Sequence, residues 1–258
     1  MNKKRQSLLS QVIEEYLKNK QPIGSQTLKD SNKIKMSSAT IRNHFKMMMQ
    51  EGLLIQTHIS SGRIPTHLAF KLYWQEQINL EENTIFSNIS VLQKKSEEIG
   101  CFIGVYYPSQ IKLLQVSQVE DFLILSFDGN REIILRASDP LKRFVQDLIG
   151  IDLEDMRSFC LQVQAKDLFQ SLKTLVQNDY VFSGAKHITP FMQTQRGEKL
   201  FFELCEGKIF HRLSNGIYFD HEFPRGYLAR IFETQIEDKK ARVIYCGELE
   251  KNFNLIKE

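Results

Sequence analysis

The 258-residue chain is short of the features that mark several large functional classes. Its most apolar stretch of strand composition, Phe122-Leu123-Ile124-Leu125-Ser126-Phe127, is far too short to cross a bilayer. Lys3, Lys4 and Arg5 are followed by Gln6, Ser7, Ser10 and Gln11 rather than by an apolar run, so no signal peptide is expected. The four cysteines (Cys101, Cys160, Cys205 and Cys246) are widely separated, with no C-x-x-C pair and no histidine at ligand spacing, so a zinc site is not expected. Such sparse cysteines fit reduced, buried thiols in a cytoplasmic protein. There is no G-x-S-x-G elbow, no Walker lysine loop and no G-x-G-x-x-G. His211, Asp220, His221 and Glu222 are close in sequence and could serve metal or acid–base chemistry. Phe223-Pro224-Arg225 follows Glu222, however, so H-E-x-x-H is absent and a solvated loop is the plainer reading. No catalytic residue, cofactor or metal ligand is assigned, and no enzyme is expected.

What is present is ordinary in amount and uneven in placement. Hydrophobic residues make up 42% and charged residues 25%, enough for a sizeable core in two or more domains. The net charge is +3, but twelve basic against four acidic residues up to Tyr73 give that segment +8, leaving −5 for the rest. A basic head on an acidic body suits a polyanionic partner for the head; a lysine-rich solvated surface is the bland alternative.

The most informative stretch is Ser37-Ser38-Ala39-Thr40-Ile41-Arg42-Asn43-His44-Phe45-Lys46. Ser37 is placed to cap a helix, and Gly52 to end it in the left-handed conformation. Ile41, Phe45, Met48 and Met49 recur as a buried stripe at helical spacing. The other side carries Ala39, Arg42, Asn43, Lys46 and Gln50, with Thr40 on its flank. Arg, Asn, Gln and Thr read base edges, and Lys and Arg hold phosphates.

Before this stretch, Lys4 to Lys18 has the apolar stripe of a first helix, and a short second helix ends near Leu28. Lys33-Ile34-Lys35-Met36 reads as a loop presenting Ile34 and Met36 to the core. After it, Leu53–Gln56 and Arg63–Thr66 suit two strands around His58-Ile59-Ser60-Ser61-Gly62, a turn-prone tip. This pattern predicts a winged helix-turn-helix, with Arg63 placed for a minor groove or a phosphate, or for a nearby carboxylate. A further helix runs from His67 to about Leu80.

Three blocks then carry a family resemblance: Pro22-Ile23-Gly24-Ser25-Gln26-Thr27-Leu28, Ser38-Ala39-Thr40-Ile41-Arg42-Asn43 and His58-Ile59-Ser60-Ser61-Gly62-Arg63-Ile64-Pro65-Thr66. In order and spacing they closely resemble the HrcA family of bacterial heat-inducible transcription repressors. Ser38 stands where the family usually has Pro, and His44 where an acidic residue is common.

Past Glu81 a helix is expected from Thr84 to Glu98, then strands over Phe102–Tyr107, Ile111–Val119, Phe122–Phe127 and Glu132–Arg136, with Asp128-Gly129-Asn130 turning the last pair. Helices over Asp139–Leu148 and Ala165–Val176 flank a less regular stretch. After Asn178-Asp179 come a strand at Tyr180–Gly184, a helix at Gly197–Cys205, and strands at Ile217–Phe219 and Arg242–Cys246. Phe201, Phe202, Phe210, Tyr218, Phe219, Phe223 and Tyr227 suit a core, an interface or a ligand pocket. Such mixed order predicts α+β.

The resemblance implies a winged helix over 1–80 and, over 81–258, a GAF-like α+β body with an inserted dimerisation segment. Tyr180–Ala185 and Val243–Glu248 look like degenerate family blocks, and the body is expected to be shortened at the C-terminus. It implies a cytoplasmic repressor that binds, as a homodimer, an inverted repeat in double-stranded DNA upstream of chaperone genes, with chaperonin as modulator and release on heat shock. The expected DNA-binding set is Ser38, Thr40, Arg42, Asn43, Lys46, Gln50, Ser61, Gly62, Arg63 and Thr66. Two other classes stay open: a ligand-responsive winged-helix regulator whose body binds a small molecule, and an enzyme fused to a DNA-binding head.

Overall fold

A computed structural model describes residues 3–30, 36–58, 61–78, 85–108, 111–175 and 180–256. The chain folds into two compact units: Met1–Val105 together with Phe182–Glu258, and Tyr106–Val181. The boundary expected near residue 80 falls inside the first unit.

The first unit opens with α1 (Lys3–Asn19), which buries Leu8, Leu9, Val12, Ile13, Tyr16 and Leu17, the stripe its sequence dictates. Next come α2 (Ser25–Asp30) and α3 (Ser38–Gln50). The expected loop at Lys33–Lys35 lies outside the described residues. Strands β1 (Leu54–Ile55) and β2 (Ile64–Pro65) pair antiparallel, Leu54 opposite Pro65. Of the expected tip, Ile59 and Ser60 lie outside the described residues. Helix α4 (His67–Gln77) follows at once, its first turn capped by the Thr66 hydroxyl.

The helix expected over Thr84–Glu98 is shorter than expected among the described residues. Thr84 is outside the described residues; Ile85–Phe86 form a strand, β3, and α5 spans Ile89–Ile99. The Asn88 side chain fixes the start by accepting from the Val91 amide at 3.2 Å, and Gly100, at φ +73°, fixes the end. Strand β4 (Phe102–Tyr106) is buried along its whole length.

In the second unit β5 (Leu113–Val119), β6 (Phe122–Phe127) and β7 (Arg131–Arg136) form an antiparallel meander. The Gly129-Asn130 turn has positive φ at both residues, as the sequence signals. Leu113, Leu123, Leu125, Phe127, Ile133 and Leu135 cover one sheet face and pack with helices α6 (Asp139–Gln146), α7 (Leu153–Gln162) and α8 (Lys166–Thr174). The regular helix α7 replaces the irregular stretch expected there. Asp152 accepts from the amides of Glu154 and Asp155 at 3.0 Å, and Leu153, Met156 and Cys160 are buried at helical spacing.

Asn178 and Asp179 lie outside the described residues. From Tyr180 the chain makes β8 (Tyr180–Ser183), a 3₁₀ segment (Ala185–Gln193), α9 (Gln195–Cys205), α10 (Ile209–Arg212), β9 (Gly216–Tyr218), β10 (Tyr227–Ile236) and β11 (Lys239–Glu248). A final 3₁₀ turn spans Phe253–Ile256. One mixed sheet has the order β3-β10-β11-β4-β8, with β9 also on β10. Strand β10 was not expected from the sequence, because Arg230, Glu233, Thr234 and Gln235 interrupt its apolar residues. It nevertheless pairs with β11 over ten residues, through a two-residue turn in which Glu237 and Asp238 both take positive φ. The architecture is α+β. Among the described residues no helix is long and apolar enough to cross a membrane.

The aromatic-rich stretch goes largely to packing. Phe210 and Phe223 are buried, and Tyr227 meets Phe191 edge-on at 4.8 Å. Cys101, Cys160 and Cys246 are buried, Cys205 is half-buried, and all four are free thiols. Burial pushes the Cys101 thiol up to about 12 and Cys160 to about 11; Cys246 is raised well above its ordinary value, first by burial and then by its neighbour Cys101. Thiolate is the reactive form, so Cys101, Cys160 and Cys246 should resist a disulfide reagent at pH 8 in the native protein. Cys205 should react first and all four in denaturant; rapid native labelling of Cys101 or Cys246 would refute this core.

Candidate nucleic-acid interface

Helix α3 is set by both of its ends. The Ser37 hydroxyl accepts from the Thr40 amide at 3.2 Å, a cap worth about 1 kcal/mol. After Glu51, Gly52 takes φ +72°, and the Gly52 and Leu53 amides close on the carbonyls of Met49 and Met48 at 3.1 and 2.8 Å. Ile41, Phe45 and Met48 are buried, while Ala39, Thr40, Arg42, Asn43, Lys46 and Gln50 are exposed together on the opposite side. These residues make one exposed side of the helix with two cations, Arg42 and Lys46, on it. Arg42 is partly held by its own helix, its Nε donating to the Ser38 carbonyl at 3.3 Å.

The other expected site residues are placed differently. Ser38 Oγ donates to Gln26 Oε1 at 3.2 Å, tying the first turn of α3 to α2. Ser61 organises the hairpin turn: its hydroxyl accepts from the His58 amide at 3.0 Å and donates to the His58 carbonyl at 2.8 Å. The Arg63 guanidinium turns back toward α3. Its Nε donates to Met49 Sδ at 3.1 Å, its Nη1 to the Ser61 carbonyl at 3.0 Å, and it lies 6.0 Å from the centre of the Phe45 ring. A half-buried arginine so engaged joins hairpin to helix. Thr66 caps α4, accepting from Ala69 N at 3.3 Å, and its hydroxyl donates to the Gly52 carbonyl at 2.8 Å.

Gly62 has a steric role. A β-carbon there would lie 2.6 Å from the backbone carbons of Pro22 and Ile23. That close approach is made by two backbone bonds, Ile23 N to Arg63 O and Arg63 N to Ile23 O, both 2.8 Å. Sequence reasoning missed Ile23; its signal was a β-branched residue alone between Pro22 and Gly24, suited to an extended segment. The Arg5–Glu51 ion pair links α1 to the residue capping the end of α3.

Two of the acid–base candidates, Asp220 and Glu222, are paired with cations. Glu222 pairs with Arg212, which also holds Glu203 at 3.0 Å; Asp220 pairs with Lys71; and the His221 carbonyl accepts from Arg196. Among the described residues no group of three or more His, Cys, Asp and Glu could hold a metal ion.

Comparison with known proteins identifies the family. A family model described as the HrcA C-terminal domain matches residues 74–258. A heat-inducible transcription repressor HrcA of Helicobacter pylori strain 26695 is 31% identical over 255 residues, covering 97% of this chain and 91% of that protein. Its counterpart in strain J99 is 34% identical over 221 residues, covering 84% and 80%. A crystal structure of a hypothetical protein aligns with TM-score 0.52 at 19% identity, over 98% of this chain and 93% of that one, which speaks to the fold alone.

The geometry makes Gly62 and Thr66 structural. Gly62→Ala should lower stability by about 1–3 kcal/mol, through forced separation of Ile23 and Arg63. Thr66→Ala should cost about 1 kcal/mol as a lost cap. Urea denaturation measures both, and a Gly62→Ala midpoint equal to wild type would refute the close approach.

Proposed function

The chain belongs to the HrcA family, and from that premise we propose that it is a heat-inducible transcription repressor which binds, as a homodimer, an inverted repeat upstream of chaperone genes. The observation that carries this reading is the outward face of α3, where Thr40, Arg42, Asn43, Lys46 and Gln50 are exposed side by side. Residues 1–80 act as a winged helix-turn-helix: α2 and α3 form the reading pair, and the β1–β2 hairpin is the wing. Thr40, Asn43 and Gln50 read base edges, and Arg42 and Lys46 take bases or phosphates. Ser38, Ser61, Gly62, Arg63 and Thr66 serve the interface by fixing the shape of helix and wing, with the wing backbone and the Arg63 charge beside the DNA.

Residues 81–258 form the GAF-like body, for which the mixed sheet is suited, with 106–181 as its dimerisation insert. The sheet of that insert supports the assignment. Opposite its core, Val119 pairs with Phe122 and Ile124 with Ile134. Val119 is 55% exposed, Phe122 49% and Ile134 62%. A clustered apolar face of this kind suits a self-complementary contact about a two-fold axis. Two copies then present two α3 helices to half-sites one DNA turn apart, or a multiple of it. The protein works in the cytoplasm, with chaperonin as modulator of its active form.

Fluorescence anisotropy on the chaperone-operon repeat and a scrambled duplex, across salt and at growth and heat-shock temperatures with and without chaperonin, tests the reading. The repeat should bind at least about a thousandfold tighter and be released on heating; equal binding to both would overturn it. Lys46→Ala should weaken all sequences alike and reduce the salt slope by about one unit, whereas Asn43→Ala should cost about 1–3 kcal/mol and relax the choice of one base. Ile134→Arg should yield a folded monomer in sedimentation, with loss confined to the two-site DNA; a stable dimer would remove this face from the interface.

A further inference from the structure

Two reading helices match a repeat only if each is held at a fixed angle to the body of its own chain, and one buried corner does the holding. Trp74 of α4 is 0% exposed, and its indole Nε1 donates to the Leu249 carbonyl, just after β11, at 2.8 Å. The indole meets Phe253 edge-on, with centroids 5.3 Å apart and planes at 77°; Phe253 in turn stacks on Tyr245 of β11 at 5.2 Å. Around this seam the Tyr16 hydroxyl donates to Glu250 Oε2 at 3.3 Å, and Lys20 Nζ to the Glu250 carbonyl. Asn254 Nδ2 donates to the Tyr73 hydroxyl at 3.4 Å. The contacts come from α1, the residue after it, and α4; all meet the Leu249–Asn254 segment, and none lies on the reading face of α3.

We propose that Trp74 and the Leu249–Asn254 corner are positioning residues for operator binding: they fix the reading helix relative to the body and so set the half-site spacing the dimer accepts. This rests on the dimeric-repressor reading above. A swivel of the head would leave the indole N–H and the Leu249 carbonyl unpaired while buried, or expose the aromatic seam to water. The seam thus opposes rotation in either direction. On DNA its effect is amplified, because a misaligned second head loses the effective concentration that makes two-site binding tight.

Trp74→Phe keeps an aromatic ring and removes only the donor, and Asn254→Ala trims the rim. Both variants should bind a single half-site duplex within about twofold of wild type, yet lose about tenfold on the inverted repeat and tolerate altered spacers better. Equal losses on both duplexes, with unchanged circular dichroism, would mean that Trp74 acts on α3 itself and overturn the proposal. No loss on either would also overturn it. A second measurement needs no DNA. Trp74 is the sole tryptophan, so its indole proton is one assignable resonance. It should exchange at least about tenfold more slowly than free indole and faster in Phe253→Ala; exchange at the free rate in wild type would show an open seam. Should the wild type prefer no repeat, the operator reading falls, and indole exchange still decides whether the head is fixed.

Discussion

The pair of backbone hydrogen bonds between Ile23 and Arg63 is the constraint on which the basic head depends. It joins the turn before α2 to the strand after the hairpin, segments forty residues apart in sequence, at a distance only glycine permits at position 62. With that join made, β2 runs beside β1, Thr66 caps α4, and Arg63 is brought back over Phe45 and Met49 of α3. The angle between hairpin and reading helix follows from these contacts. Two buried backbone bonds are also costly to lose, because each unpaired group pays its own desolvation.

This assigns two kinds of work to residues that sequence alone groups together. The Ser61-Gly62-Arg63-Ile64-Pro65-Thr66 run is the most specific part of the family likeness, and several of its residues make contacts within the fold. Ser61 shapes a turn, Thr66 caps a helix, Arg63 spans two elements, and Pro65 is buried. A run that builds a fixed geometry admits few substitutes at each position. The exposed face of α3 is under a different constraint, set in the proposed function by the DNA it would meet, and its residues can change without disturbing the fold.

The sequence made the head far more legible than the body, for physical reasons. Ser37, Gly52 and the Ile41–Phe45–Met48 stripe define α3 through local rules of capping and period, and the structure has each of them. The body failed where pairing is long-range. Strand β10 holds a buried arginine and a Glu237-Asp238 turn in place of the usual Asn-Gly, so neither alternation nor turn signalled it; only the ten-residue pairing with β11 shows why it is a strand. Helix α7 is a different kind of miss. Asp152 and the acidic first turn are local signals for it, but its buried residues, Leu153, Met156 and Cys160, make only a thin apolar stripe. In the site, types and periodicity located the exposed residues of α3, but no local rule reports that Arg63 turns inward.

The unequal charge of the chain has a consequence for how head and body hold together. The +8 head meets a body of net −5, and the Lys71–Asp220 ion pair lies along their junction. Attraction of this sort between partly exposed groups is screened and contributes little stability. The specificity of the join must come from its buried centre, where Trp74 meets the Leu249 carbonyl and the Phe253 ring. In the proposed function, cations that lean toward the body would be only weakly withheld from DNA, while apolar contact and one hydrogen bond would fix the angle at which α3 is offered. On the proposed function, salt would act on the strength of DNA binding and heat on its geometry, since a local seam can open well below the temperature that unfolds either element it joins. For a repressor released by heat, that separation lets alignment be lost while the reading helix itself stays folded.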